Sequence, residues 1–271
     1  MKKAVVGVLM AAGMSGMCLA AETNVMAATA VPVPKTWADS VIFKGDLRYR
    51  HETINDDAKM NASKETYTRQ RDRIRARLAA EAKCNDDLKA VIGFSTGQND
   101  PIAGNQTLGD VGQKKDMKLD LAYLDYSFIG DTTGSEIHGF AGKMKNPFIT
   151  LNDDLVWDPD LTPEGVAVKA QTGNDFLTAY GNAGYIWIQE RDSKDPGQLY
   201  AGQGALKFQF VPEAALTVGV SYYGFQNLNG YDVIDWEGKN NAFGNSTQKG
   251  TIAGGVTNKA WATEYTPMVY F

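Results

Sequence analysis

Cysteine and histidine are almost missing from this 271-residue chain, which has two of each. Cys18 falls in the N-terminal leader, so Cys84 stands alone and no internal disulfide can staple the mature chain. His51 and His138 sit in separate strand-like runs, and no His/Cys cluster with metal-ligand spacing exists. No glycine-rich phosphate loop follows a strand-like run either. Basic excess is also lacking: 27 Lys and Arg face 32 Asp and Glu, a net charge of -5. That balance excludes the positive face a nucleic-acid binder needs. Past the N-terminus there is no apolar run near the roughly 20 residues of a membrane helix. If the mature chain enters a bilayer, it must do so as a closed barrel, the other structure that leaves no backbone group unpaired in lipid.

The first residues carry the pattern of an export signal. Lys2 and Lys3 are followed by an apolar stretch over 4–12 and then by small residues, with a cleavage site near Cys18-Leu19-Ala20. Gly7, Gly13, Ser15 and Gly16 interrupt the stretch and argue against an anchor. Residues 1–20 therefore read as a signal peptide and 21–40 as a linker, extended around Val31-Pro32-Val33-Pro34. Residues 41–271 carry the folded unit.

Within that unit the dominant signal is a period of two. Phe43, Gly45, Leu47 and Tyr49 fall on one side of an extended chain, and Lys44, Asp46, Arg48, Arg50 and Glu52 on the other. Over 67–83, Arg69, Arg71, Arg73, Arg75 and Arg77 alternate with Ile74, Ala76, Leu78, Ala80 and Ala82. Arg, Ala and Leu favour helices, yet a helix would scatter these arginines around its axis, whereas a strand stacks them on one side. Further strands are expected over 88–95, 117–129 (of unsettled phase), 136–145, 164–171, 176–190, 200–210, 216–223 and 259–271. Asn85-Asp86-Asp87, 130–134 and 211–213 read as tight turns. Residues 97–115, 146–163, 191–198 and 226–258 read as longer polar loops.

About ten strands joined by alternating short and long connections, each with one greasy and one wet face, predict an all-β, antiparallel up-and-down transmembrane barrel. Tyr49, Phe94, Phe128, Phe208, Phe210, Tyr222 and Tyr223 are expected in its interfacial girdles. A soluble periplasmic β-sandwich binding domain would alternate too, but its loops need not alternate in length. Gly93-Phe94-Ser95-Thr96-Gly97 matches G-x-S-x-G, which makes a nucleophile elbow only where a strand enters a helix. Here Gln98-Asn99-Asp100-Pro101 follows, a loop, so no enzyme and no cofactor are expected.

Four stretches of the chain resemble the Putative porin family of Gram-negative outer-membrane proteins: FKGDLRYRHE (43–52), NDDLKAVIGFSTG (85–97), LDLAYLDYSF (119–128), and GKMKNPF (142–148) with WDPDLTPEGVA (157–167). The resemblance implies a multi-stranded pore in the outer membrane, in contact with its lipid, assembled as a homotrimer and passing small polar solutes or ions. It also implies more than the ten strands visible here, about sixteen, and hence a truncated chain. The terminal Phe271 suits a barrel, while Pro267 is poor inside a strand.

If the apolar faces meet lipid, the arginines line water, because a charged side chain at the bilayer midplane costs about 2–4 kcal/mol. Arg48, Arg50, Arg71, Arg73, Arg75 and Arg77 then form a basic wall. The connection 146–163, the third long one when 53–66 is counted first, carries the opposite sign in Asp153, Asp154, Asp158 and Asp160, with Glu164 at its end. In porins that loop commonly folds inward, so an eyelet of opposed charges is expected, filtering solutes by charge and dipole. The same carboxylates could instead be a solvated loop or a calcium site, although their spacing is not that of an EF-hand. A plugged barrel serving as a surface adhesin or structural anchor is the alternative function.

Overall fold

A strict alternation of side-chain character can bury only one face of each strand, and neighbouring strands must agree on which. The computed structural model meets that demand with one continuous antiparallel sheet. It describes residues 40–60, 66–99, 101–130, 134–150, 157–192, 195–231, 233, 247–252 and 255–261. The leader, the linker up to residue 39, Asp153, Asp154, Pro267 and Phe271 lie outside these. The elements are β1 (Val41–Met60), β2 (Thr66–Lys83), β3 (Leu88–Thr96), β4 (Gln106–Thr107), β5 (Met117–Ile129), β6 (Ser135–Lys143), β7 (Glu164–Gly173), β8 (Leu177–Gln189), β9 (Gly197–Val211), β10 (Ala214–Gln226), β11 (Thr247–Ile252) and β12 (Gly255–Trp261).

The first ten form a ten-stranded sheet in the order β1-β2-β3-β5-β6-β7-β8-β9-β10, with β4 paired to β2. Every pairing is antiparallel. This is the all-β, up-and-down order of the expected barrel; β1 and β10 remain its two edges among the described residues. Among the described residues no second sheet packs face to face on this one, as a sandwich would require. β11 and β12 form a separate hairpin. They and β4 correct the reading of 226–258 and 97–115 as loops: two to seven residues among glycines carry too little alternation to be read.

Turn chemistry sets the polarity of the sheet. Asn85 Oδ1 accepts from the backbone of Asp87 and Leu88 at 2.9 and 2.8 Å, and Asn174 Oδ1 does the same for Phe176 and Leu177 at 3.0 and 2.9 Å. These turns, the one at 212–213, the end of β5 and the start of β6 lie at one end of the sheet. The ends of β3, β6 and β8 and the starts of β5, β7 and β9 lie at the other.

The two faces differ in kind. One presents Phe43 (72% exposed), Leu47 (79%), Leu78, Ile92, Leu124, Val168, Leu206 and Val218 to the surroundings. A patch of this extent on a water-soluble monomer is rare. At the long-loop end it stops at Tyr49, whose hydroxyl donates to Asp72 at 2.6 Å, with His51 Nδ1 2.8 Å from the same carboxylate. The opposite face carries the arginines, Ser95, Asn182, Gln203 and Ser221, and the loops fold over it. Tyr223 belongs there too, 3% exposed, which corrects its place among the outer aromatics. Adjacent residues of a strand point oppositely, so Tyr222 and Tyr223 cannot share a girdle.

β5 explains why its phase could not be read. Gly93 faces Leu121 while Phe94 faces Leu119, so Asp120 is an extra residue, a bulge. The bulge moves Leu119 to the exposed apolar face and Leu121 to the buried polar one, although both are odd-numbered.

Candidate functional site

The arginine column is a product of register. β1 and β2 pair without slip from Val41 to Asp56, which sets Asp46 opposite Arg77, Arg48 opposite Arg75, Arg50 opposite Arg73 and Glu52 opposite Arg71. Their side chains share the polar face, as period-two spacing requires. Glu52 pairs with Arg50 and Arg71 and lies 3.7 Å from Arg73. Asp46 pairs with Arg75 at 3.1 Å. The connection 97–116 lies over the upper rungs: Arg48 Nη2 donates to Asn105 Oδ1 at 2.7 Å and Arg73 Nη2 to the Asn105 carbonyl at 3.0 Å.

Residues 144–150 and 157–163, the described parts of the connection after β6, lie on the same face, and the second part meets the column. Arg75 Nη1 donates to Asp160 Oδ1 at 3.2 Å, and Arg77 donates to the same oxygen. Asp160 is 14% exposed, so the contact is mostly shielded from water. Two further anchors hold the loop. Phe148 and Trp157 each meet the Tyr223 ring edge-on at 5.4 Å, within a cluster that includes Ile186, Leu199 and Ala201. Gln203 Oε1 accepts from Ile149 N at 2.7 Å and its Nε2 donates to Ile149 O at 2.8 Å. Thr162 Oγ1 donates to Asp120 at 3.1 Å, tying the loop to the β5 bulge.

Two cavities meet at this crossing. One, of about 520 Å³, is bordered by Lys44, Asp46, Phe148 and Trp157. The other, of about 380 Å³, is bordered by Ser95, Thr96, Lys118 and Lys143. Arg77, Asp120, Asp160 and Thr162 border both. The loop thus lies between two cavities of mixed polar and apolar lining, with Arg77, Asp120 and Asp160 at their shared border.

Of the predicted acids, Asp160 meets the arginines Arg75 and Arg77. Asp158 shapes the loop: its Oδ1 accepts from Asp160 N at 2.8 Å and its carbonyl from Leu161 N at 3.0 Å. Glu164 pairs with Lys143 at 3.1 Å, away from the column. The six arginines lie together on one face of the β1–β2 pair. Asp46, Glu52, Asn105, Asp120, Thr162 and Gln203 complete the site. Asp46 and Glu52 lay in the alternation of 41–52; for the others no local signal exists, since their contacts are made by loops and a bulge. Among the described residues no group of His, Cys, Asp and Glu could hold a metal ion. Ser95 of the G-x-S-x-G match is buried, donates to the Thr96 carbonyl at 3.0 Å, and precedes a loop.

A family model described as Putative porin matches residues 53–247, most of the chain. No curated protein matches it.

Proposed function

The chain belongs to the Putative porin family, and from that premise we propose that it is an outer-membrane channel through which small polar or charged solutes diffuse passively. In this reading the apolar face meets lipid and the polar face lines water. The column Arg48, Arg50, Arg71, Arg73, Arg75 and Arg77 is the basic wall, and connection 144–163 is the constriction. The chain works as a conduit, without bond-making chemistry, and assembles as a trimer.

The observation that carries this reading is the Asp160 contact with Arg75 and Arg77, made across more than eighty residues of sequence and flanked by two cavities. It differs from the expected eyelet in one respect: Asp160 touches the wall, so the charges are paired at the crossing and the loop itself narrows the path. Partly buried pairs of this kind are costly to break from one side, about 3–5 kcal/mol when fully buried, because the partner charges stay behind. Asp160→Asn should therefore loosen the loop and expose two guanidiniums. Single-channel recordings in planar bilayers should give larger steps and a shift toward anions relative to the parent. Unchanged conductance and selectivity would remove Asp160 and its loop from the constriction. A parent protein that migrates as a heat-modifiable barrel but gives no steps would instead be the plugged barrel. The two loops lying over the polar face are what favour that second reading.

A further inference from the structure

The rungs of the β1–β2 ladder are not alike. The outer two pair opposite charges, Asp46 with Arg77 and Glu52 with Arg71. The inner two pair like charges, Arg48 with Arg75 and Arg50 with Arg73. Like charges directly opposite on one face of an antiparallel pair destabilise it, and here two such rungs are adjacent. The neighbouring carboxylates only partly answer them: six guanidiniums on four rungs are met by Asp46, Glu52 and Asp160. At the centre Arg48 and Arg73 converge on Asn105, which offers each a neutral oxygen. The Nε–H groups of Arg48, Arg50, Arg73 and Arg75 are buried with no acceptor among the described residues. Four guanidinium forks with unused donors, in a water-facing wall, suit one class of ligand. An oxyanion accepts two parallel hydrogen bonds from each fork and cancels the repulsion between them.

We propose that the rungs Arg48·Arg75 and Arg50·Arg73 form a binding step for a small oxyanion, a carboxylate or phosphate, which takes the place Asn105 now fills between Arg48 and Arg73. The inference rests on the channel reading for its transport role but not for the site itself. It predicts anion-preferring currents, with flow of chloride reduced by phosphate or acetate while these occupy the rungs.

The test combines currents with labelling. Reversal potentials of the purified full chain are measured in a KCl gradient, with and without phosphate or acetate. In parallel, phenylglyoxal labelling of the unmodified protein is mapped by peptide mass spectrometry with and without the same anions. Anion preference, block, and protection of Arg48 and Arg73 are expected. Arg73→Lys keeps the charge and loses the fork, so it should retain anion preference while block weakens about tenfold, the loss of one charge-assisted hydrogen bond. The double variant Arg48→Ala/Arg73→Ala should lose both. Currents that prefer cations or ignore phosphate, with labelling unprotected, would overturn the oxyanion step and leave the channel reading standing. Protection without currents would keep the site and remove transport. Neither currents nor protection would remove both.

Discussion

Gln203 shows how a neutral side chain can hold a functional loop. Its carbonyl oxygen accepts from Ile149 N and from Asn182 Nδ2 at 2.7 and 2.9 Å, and its amide nitrogen donates to Ile149 O and Ser221 Oγ at 2.8 and 2.9 Å. Both acceptor positions and both donor positions are used, and they join β8, β9, β10 and the start of connection 144–163. Leucine in its place is similar in size and offers none of them. It would leave the Ile149 backbone groups and the Asn182 amide without partners, and each buried group so left costs about 1–3 kcal/mol. Gln203→Leu should therefore release the loop while the sheet persists. Limited proteolysis would read this as faster cleavage within 144–163 with heat-modifiable migration retained; cleavage at the parent rate would remove Gln203 as an anchor. The contrast with the arginines is one of division of work. Charge gathers at the column, and neutral hydrogen bonds at Gln203 hold the connection beside it.

At the scale of single elements, β2 is the strand on which most depends. One face carries Arg71, Arg73, Arg75 and Arg77, and the other Ile74, Ala76, Leu78, Ala80 and Ala82. If the apolar face meets acyl chains, Leu78→Arg places a charge there at a cost of about 2–4 kcal/mol near the midplane. Ala79→Ser, one residue on, points to the polar face and should cost less than about 0.5 kcal/mol, as ordinary surface changes do. Urea titration of the refolded protein in lipid vesicles compares them, and equal stability of the two variants would reverse the assignment of faces. This two-sidedness was legible from the amino-acid order wherever a strand runs unbroken, as in β1, β2, β3, β9 and β10. The period of two is local, and nothing distant alters it. It failed at β5 because the Asp120 bulge resets the phase mid-strand, and at β4, β11 and β12 because those strands are too short to show a period. The site divided in the same way. That the arginines share one side was visible from period alone, whereas the contact of Asp160 with Arg75 and Arg77 depends on how connection 144–163 is pinned by Tyr223 and Gln203. That pinning is tertiary and leaves no trace in loop composition.

At the scale of the whole molecule the polarity is inverted relative to a protein that folds in water. Large apolar side chains face outward along the sheet, while arginines, amides and hydroxyls face the loops and cavities. Burial of apolar surface drives folding in water, and in the proposed reading a hydrocarbon phase covers the outer face instead. Two tryptophans sit on opposite sides and can report on it. Trp187, on β8, is 50% exposed on the apolar face. Trp157 packs against Tyr223 on the polar face, and its indole nitrogen is buried. Brominated acyl chains quench indole fluorescence only at close range, so in vesicles of such lipids Trp187→Phe should abolish a large part of the quenching seen in the parent protein, and Trp157→Phe should leave it nearly unchanged. The reverse pattern would mean that lipid meets the arginine side. The basic wall, the constriction and the oxyanion step would then all be turned away from water, and the channel reading would fall with them.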